Sequence, residues 1–105
     1  MLYSMSELVL TAPRERVHTS EPVPEGVRLV SATRSLVVAV DPDEHLALRL
    51  CRLASRILAV EVHDPDRAEV TAVWRRVPYT RRIPLSAALA LTLSGVPTYL
   101  HADHR

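Results

Sequence analysis

The sequence predicts an α+β fold, in which a mixed or antiparallel sheet of about four to five strands packs against two helices to form a small two-layer domain. Three observations support this class. An apolar pattern of helical period follows the acidic stretch at residues 41–44. A second run, of Ala and Leu, lies between Pro84 and Gly95. Val-rich runs of strand length flank both helical segments.

Composition places the chain among single-domain globular proteins. Its 105 residues are enough for one modest core, and a hydrophobic fraction of 48% argues against disorder. We predict one domain over residues 1–105, with an N-terminal strand and a Pro-rich loop or arm at 1–26 and the core at 27–105. The formal net charge of +1 creates no global field that would attract nucleic acid or membrane.

The lone cysteine and the length of the apolar runs bear on the cellular setting. Cys51 has no second cysteine in the chain to pair with, which fits a reducing compartment. The sequence does not open on a basic segment followed by a long apolar run, and no run approaches the roughly 20 residues of a membrane span. We therefore predict a cytoplasmic protein that does not contact membrane.

The N-terminal part of the chain is predicted to hold strands separated by a loop. Leu8–Thr11 has the composition of a short strand, and Pro13–Gly26 is polar and Pro-rich, which favours a surface loop or an extended arm. Val27–Ser31 alternates weakly, and Leu36–Val40 is a continuous apolar run typical of a central strand buried on both faces. Between these two segments the sequence allows either a turn or one long bulged strand. A right-handed β–α–β crossover would link Leu36–Val40 to a strand at Glu69–Val77.

The first helix is predicted to begin at Asp41. Its carboxylate would cap the first turn, Pro42 would occupy the first helical position, and Glu44 would stand three residues after the cap. Behind this start an apolar face recurs at spacings of four and three residues. Its members are Leu46, Leu50, Leu53, Ile57 and Val60. The helix either stops near residue 57 and continues as a strand, or runs on to residue 62.

This helix carries more apolar surface than a single sheet covers. Ala47, Cys51, Ala54 and Leu58 widen its apolar arc past half of the circumference, and Leu48 lies beside a stripe of Arg residues. We therefore predict that the helix is covered from two sides, by the sheet and by either the second helix or a second copy of the chain. The second option makes a homodimer the expected assembly.

The C-terminal half is predicted to contain a strand, its return arm, a helix and a last strand. Glu69–Val77 alternates with the period of a strand, and Pro78 places its end at a sheet edge or a turn. Tyr79–Ile83 would return as the second arm. Ala87–Ser94 forms a helix with almost no polar face, which must be buried, and Val96–His101 is the last strand.

A basic, aromatic stretch over residues 74–82 is the main candidate for partner binding. Between Arg67 and Arg82, five Arg residues and one acidic residue give a formal charge of +4. Guanidinium groups pair with phosphates, and aromatic rings stack on bases. The predicted partner-binding residues are Trp74, Arg75, Arg76, Tyr79, Arg81 and Arg82, extended by Arg49, Arg52 and Arg56 if the first helix lies alongside. The competing interpretation is a solvated hairpin whose Arg side chains pair with Glu61, Glu69 or acidic residues of another copy.

No catalytic or metal-binding motif stands out. Cys51 falls within the apolar arc of the first helix, so we expect a buried, inert thiol. His101 and His104 lack further ligands at zinc-site spacing. With Gly26 and Gly95 as the only glycines, a phosphate-cradling Gly-rich loop is impossible. We predict no catalytic residue, no metal site and no cofactor.

The sequence therefore favours a non-enzymatic, dimerising binding or regulatory module. It would contact nucleic acid or another anionic partner, such as an acidic protein, through the Arg-rich ribbon. The alternative is a small enzyme or a small-molecule-binding protein, with an anion-orienting pocket between the sheet and the helices. A flat Arg surface would support the first function, and a deep pocket with converging polar groups would support the second.

Overall fold

Seven strands and two helices make up the part of the chain that the computed structural model describes, residues 14–63 and 66–101. In chain order they are β1 (Arg14–Val23), β2 (Gly26–Ser31), β3 (Ser35–Val38), α1 (Glu44–Leu53), β4 (Arg56–His63), β5 (Arg67–Trp74), β6 (Val77–Ile83), α2 (Leu85–Leu93) and β7 (Thr98–His101). The strands form one sheet in the order β3-β2-β1-β7-β4-β5-β6. β4 and β7 are parallel and the other neighbouring strands are antiparallel, which makes the sheet mixed.

The sheet is larger than the sequence predicted. Strands account for 55% of the structure and helices for 22%, and the sheet has seven strands, so the prediction of four to five was wrong. The class remains α+β-like, with a mixed sheet and two helices. Two segments contribute to the difference: the polar stretch predicted as a loop or arm forms β1, and the residues left undecided between helix and strand form β4. The strand predicted at Leu8–Thr11 lies outside the described residues.

β1 and β2 form a hairpin whose turn follows local sequence preferences. Its two-residue loop is Pro24-Glu25, and it joins Val23 to Gly26. Pro suits the second position of a tight turn because its φ is already fixed, and Gly is favoured at the fourth. At Gly26, φ is +155° and a Cβ would lie 2.0 Å from the carbonyl oxygen of Val38, so the chain beyond β2 can approach this closely only at a glycine.

α1 begins later and ends earlier than the apolar pattern suggested. Asp43 is the cap, not Asp41, and its carboxylate accepts a hydrogen bond from the backbone N–H of Leu46 at 2.9 Å. The backbone N–H of Asp43 also donates to the carbonyl of Ser86 at 3.0 Å, which ties the start of α1 to the start of α2. The helix ends at Leu53, and the apolar residues that follow belong to β4. The shorter of the two predicted helices is therefore closer to the structure.

β3 is an edge strand and not the central strand that its Val-rich run predicted. It pairs with β2, and Val37 on it is exposed. Leu36, Val38 and Val40 nevertheless contribute to the core, which accounts for their apolar character. The predicted crossover from this strand to β5 was also wrong, because the two strands are far apart in the sheet order and the parallel pair is β4 with β7.

α2 is the helix at the centre of the core. It packs on β1, β4 and β5 and against α1. Its residues from Ala87 to Thr92 are all buried, which confirms the burial predicted from its missing polar face. The fully buried side chains of the surrounding sheet include Val27, Leu29, Val60, Val62, Val70 and Leu100. We call the side of the sheet that carries the helices the helix face, and the opposite side the open face.

α1 lies outside α2 and is only partly covered. Ala47 is buried, but Leu48 is 59% exposed and the thiol-bearing Cys51 is exposed. The predicted burial of Cys51 was therefore wrong, and the predicted cover of α1 from two sides is incomplete in a single chain. Within the described ranges, neither helix is long and apolar enough to cross a membrane.

Candidate functional site

The β5–β6 hairpin turns through a strained two-residue loop. Arg75 and Arg76 form the loop between Trp74 and Val77. Trp74 and Val77 are paired with each other across the hairpin. Both Arg residues have positive φ, 50° and 70°, the signature of a type I′ turn. This turn favours Asn-Gly or Gly-Gly, because a left-handed conformation costs a residue with a Cβ roughly 1–2 kcal/mol. The turn thus holds two guanidinium groups at the hairpin tip against the local backbone preference.

The register divides the side chains of β6 between the two faces of the sheet. Val77, Tyr79 and Arg81 lie opposite the buried residues of β5, so their side chains are on the helix face. Pro78 and Arg82 alternate with them and lie on the open face. β6 is exposed along its length up to residue 82. The predicted strand Glu69–Val77 therefore ran past its true end, because β5 ends at Trp74. Pro78, which was expected to mark that end, lies in β6, the strand at the edge of the described sheet.

A cleft of about 440 Å³ opens on the helix face beside the turn. Its walls are Leu53 at the end of α1 and the hairpin residues Trp74, Arg75, Val77, Tyr79 and Arg81. The guanidinium carbon of Arg81 lies 5.1 Å from the centre of the Trp74 ring and 5.6 Å from the centre of the Tyr79 ring. Both rings hold this cation by cation–π attraction. Leu53, which is 67% exposed, supplies an apolar wall that the sequence analysis did not assign to the site.

The indole of Trp74 is buried with an unused hydrogen-bond donor. The residue is 8% exposed, and across residues 14–63 and 66–101 its Nε1 is the one buried side-chain nitrogen or oxygen without a hydrogen-bond partner. Leaving a buried donor unpaired costs about 1–3 kcal/mol. The Nε1 atom is inaccessible to solvent, so this donor is not exposed in the cleft.

The cations of the cleft form no ion pair with a carboxylate of residues 14–63 or 66–101. In the described part of the chain, no carboxylate lies within 4.0 Å of the Arg75 or Arg81 guanidinium group. The acids that the solvated-hairpin interpretation paired with them, Glu61 and Glu69, contact side chains of other strands instead. Both guanidinium groups can therefore pair with an anion from outside the chain.

The structure brings part of the predicted partner-binding set together. The residues that line the cleft are Trp74, Arg75, Tyr79 and Arg81. Arg76 follows Arg75 at the hairpin tip. Arg82 and Arg56 lie on the open face, as the register of their strands dictates. Arg49 and Arg52 are exposed on α1 and are not part of the cleft wall.

A second polar cluster, on the open face, was missed by the sequence analysis. Arg14 Nη1 donates to Glu61 Oε2 at 3.0 Å, and His101 Nε2 contacts the other oxygen of the same carboxylate. The ring of His101 stacks on that of His63 with centroids 4.4 Å apart. His63 Nε2 lies 3.0 Å from Glu69 Oε1. The cluster therefore joins β1, β7, β4 and β5 across the sheet.

The sequence feature that could have indicated this cluster is the alternation of polar and apolar residues in two short stretches. Glu61 and His63 flank a buried Val, and Tyr99 and His101 flank a buried Leu. The sequence did not show that these strands are parallel neighbours, in the register that places His63 opposite His101. Within the described ranges, no group of three or more His, Cys, Asp or Glu side chains is arranged to hold a metal ion.

A third feature is an apolar groove of about 280 Å³ between the two helices. Its lining comprises Glu44, Ala47, Leu48 and Cys51 of α1 and Ala90, Leu91, Ser94 and Val96 in and after α2. The cover of α1 is incomplete along this groove, since Leu48 and Cys51 are exposed there.

Comparison of the chain with protein-family models, with curated proteins and with solved structures found no match. The geometry of the three sites is therefore the basis for assigning a function. Of the three, the hairpin cleft is the one that combines volume with guanidinium groups that have no carboxylate within 4.0 Å among the described residues.

Proposed function

We propose that this protein is a non-enzymatic binding module whose β5–β6 hairpin holds an anionic partner. The single observation that carries the proposal is the cleft beside the turn. Arg75 and Arg81 line it, and among the described residues no carboxylate lies within 4.0 Å of either guanidinium group. Both groups are donors, and guanidinium forks suit the oxygens of carboxylates and phosphates.

The shape of the turn supports the same function. A type I′ turn built from Arg75 and Arg76 is less stable than one built from Asn and Gly. Strained backbone of this kind is retained where the side chains that it positions have a functional role. Here the strained turn positions two cations at the hairpin tip, beside the cleft.

The chemistry of the cleft favours binding over catalysis. Among the described residues that line it, none is a carboxylate, an imidazole or a thiol. These are the groups that most often carry acid–base or nucleophilic catalysis. Guanidinium, indole and aliphatic side chains hold and orient a ligand without exchanging protons with it at neutral pH, and the phenol of Tyr79 is the one proton-exchanging group among the described residues of the lining.

A second candidate is a protein that binds a small anionic molecule in the same cleft. The volume of about 440 Å³ favours it, because it falls within the range of about 300–1,000 Å³ typical of small-molecule sites. The apolar walls at Leu53 and Val77 would then cover the uncharged part of the ligand.

The fluorescence of Trp74, the only tryptophan of the chain, offers a direct test. Titrations would use a short oligothymidylate, a short acidic peptide and inorganic phosphate, each at about 50 mM and about 200 mM salt. We expect the oligothymidylate or the peptide to change the emission saturably, with an affinity that falls as salt rises. Saturation by phosphate alone would support the second candidate.

A matched pair of variants makes this test specific. Arg75→Gln/Arg81→Gln should weaken binding by about tenfold, since each lost charge-assisted contact contributes at least about 0.7 kcal/mol. Arg28→Gln serves as the control, because Arg28 already pairs with Glu21 at 2.9 Å in the other hairpin. Equal affinities for the wild type and the double variant would contradict the proposal.

We extend the proposal to self-association through the groove between α1 and α2, in a cytoplasmic setting consistent with the single cysteine. The exposed Leu48 and the apolar lining of the groove support a second copy as its cover. Sedimentation of the wild type should give a dimer and Leu48→Glu a monomer. A wild type that stays monomeric at every concentration would remove this part of the proposal and leave the hairpin site intact.

A further inference from the structure

We propose that the anionic partner is an extended acidic polypeptide that joins the sheet as a new strand beside β6. This inference rests on the proposed function, since it identifies the partner of the same hairpin. It concerns a surface that the cleft alone does not explain, namely the outer edge of the strand that carries Tyr79 and Arg81.

β6 offers an open sheet edge. It is the last strand in the sheet order, and no strand in the described part of the chain pairs with its outer side. It has seven residues, against four in β3 at the opposite end of the sheet. An unpaired strand of this length presents a row of backbone donors and acceptors that an extended peptide can complete.

The turn determines which backbone groups face outward. In a type I′ turn the N–H of Val77 points to the carbonyl of Trp74 on β5. Backbone directions alternate along an antiparallel strand, so Thr80 and Arg82 direct their N–H and C=O groups away from β5. Pro78 is also at an outward position, so its missing N–H removes no hydrogen bond to β5. The free edge therefore runs from Thr80 to Arg82 and is closed near the turn by proline.

The edge carries features that exclude some partners. Proline and positive charge on an edge strand are typical protections against unspecific pairing. Here Arg81 and Arg82 repel a second basic strand, including β6 of another copy. The segment from Arg67 to Arg82 has a formal charge of +4. Charge complementarity therefore leaves an acidic strand as the partner that the edge accepts.

A strand added to β6 would use both faces of the sheet. Its alternate side chains would lie on the helix face, where carboxylates reach the Arg75 and Arg81 guanidinium groups. The intervening side chains would lie on the open face beside Arg82. One backbone register thus satisfies the free edge and the unpaired charges together.

Single-stranded nucleic acid fits the hairpin less well. Its binding depends on successive bases stacking on exposed aromatic rings. Trp74 is 8% exposed and Arg81 already lies over its ring, which leaves Tyr79 as the exposed aromatic side chain of the hairpin. One exposed ring provides no platform for consecutive bases, so we make nucleic acid an outcome of the test and not the proposal.

The test uses a short parent peptide of alternating Glu and Val. Two further versions are N-methylated, one at every Glu and the other at every Val, and we call these the two N-methyl phases. N-methylation removes the backbone donors along one edge of the peptide only. We expect one phase to lower the affinity by about tenfold, because two lost hydrogen bonds at about 0.7 kcal/mol each give that factor. The other phase should bind within about twofold of the parent peptide.

Hydrogen exchange provides a second readout on the unmodified chain. With the parent peptide bound, the amides of Thr80 and Arg82 should gain protection, while those of Val77 and Tyr79, which face β5, should not change. Thr80→Pro removes one outward N–H and should weaken binding, whereas Thr80→Val keeps it and should not. If Thr80→Pro fails to fold, the N-methylated peptides and the exchange data still decide.

The outcomes separate this inference from the proposed function. Equal effects of the two N-methyl phases, or no protection at Thr80 and Arg82, would mean that the peptide binds without joining the sheet. An oligothymidylate that binds at least about tenfold tighter than the peptide would also overturn the inference. In these cases the hairpin still binds an anion. If none of the anions binds, both the inference and the proposed function fail.

Discussion

The two tight hairpins of the sheet, β1–β2 and β5–β6, both turn through two residues but obey different rules. Pro24 and Glu25 suit the first turn, and Gly26 follows where the turn favours glycine. The second turn places Arg75 and Arg76 at positive φ, where Asn and Gly are preferred. The first hairpin is locally consistent and the second is not.

The two hairpins also differ in whether their Arg side chains are paired with a carboxylate. In β1–β2, Arg28 pairs with Glu21 across the strands at 2.9 Å. In β5–β6, Arg75 and Arg81 have no carboxylate within 4.0 Å among the described residues. Sites that break a local rule without a structural gain are the expected places for function. The comparison therefore favours a structural role for the first hairpin and supports the binding role proposed for the second.

The largest effect is expected at the first hairpin. Gly26→Ala should lower the free energy of unfolding by about 3 kcal/mol, because the new Cβ would lie 2.0 Å from the Val38 carbonyl oxygen. Urea denaturation followed by circular dichroism measures this change. Gly95→Ala is the control, since Gly95 has φ +101° but open space around it, and it should cost only about 1–2 kcal/mol. Equal losses at the two glycines would contradict the structural role of the close approach.

Replacing the strained turn should stabilise the protein and impair its function. Arg75→Asn/Arg76→Gly should raise the free energy of unfolding by about 1–2 kcal/mol, because the new pair suits a type I′ turn. The same variant should bind the acidic peptide more weakly, since two cations are lost. Pro24→Asn/Glu25→Gly, the matched change in β1–β2, should give neither effect. A loss of stability in the first variant would mean that the Arg pair is there for structural reasons.

A single-charge comparison gives a smaller effect. Arg81→Gln should lower the affinity for the acidic peptide by about fivefold, equivalent to about 1 kcal/mol. Arg28→Gln should leave that affinity unchanged. Both variants should unfold within about 0.5 kcal/mol of the wild type, because exposed charges contribute little to stability. An equal loss of affinity in both would indicate a response to net charge rather than to the hairpin.

The smallest effect is a pH dependence beside the first hairpin. Hydroxyl hydrogen bonds from Ser31 and Thr33 lower the pKa of Glu15 below its ordinary value of 4.5. Since the folded pKa is the lower one, this stabilisation is present above pH 4.5 and is lost as pH falls through the folded pKa. Glu15→Gln should therefore be less stable than the wild type at neutral pH, with a difference that shrinks below pH 4.5. A difference that is constant across this range would contradict the assignment.

The sequence predicted those elements whose local pattern and tertiary role agree. The alternation within β5 and the burial of α2 followed from periodicity, whereas the end of β5 was placed at Val77, three residues after Trp74. β1 was missed because its exposed, charged residues resemble a loop, and its strand state depends on pairing with β2 and β7. The edge position of β3 was missed because an apolar run indicates burial but not strand order.

The candidate site was predicted only in part for the same reason. The clustering of Trp74, Arg75, Tyr79 and Arg81 follows from one hairpin, so local sequence was sufficient. The contribution of Leu53 depends on where α1 ends relative to the hairpin, which is a tertiary fact. The polar cluster of the open face depends on the parallel register of β4 and β7, which no local pattern encodes.

The most direct test of the binding role proposed for β5–β6 is the indole N–H resonance of Trp74. It is a single signal, because the chain has one tryptophan, and its Nε1 lacks a hydrogen-bond partner in the described part of the chain. Titration of the ¹⁵N-labelled protein with the acidic peptide should move this signal saturably, together with the amide signals of residues 75–82. An indole signal that stays in place while the peptide binds, with shifts confined to the open face or the helix groove, would contradict the assignment of function to this hairpin.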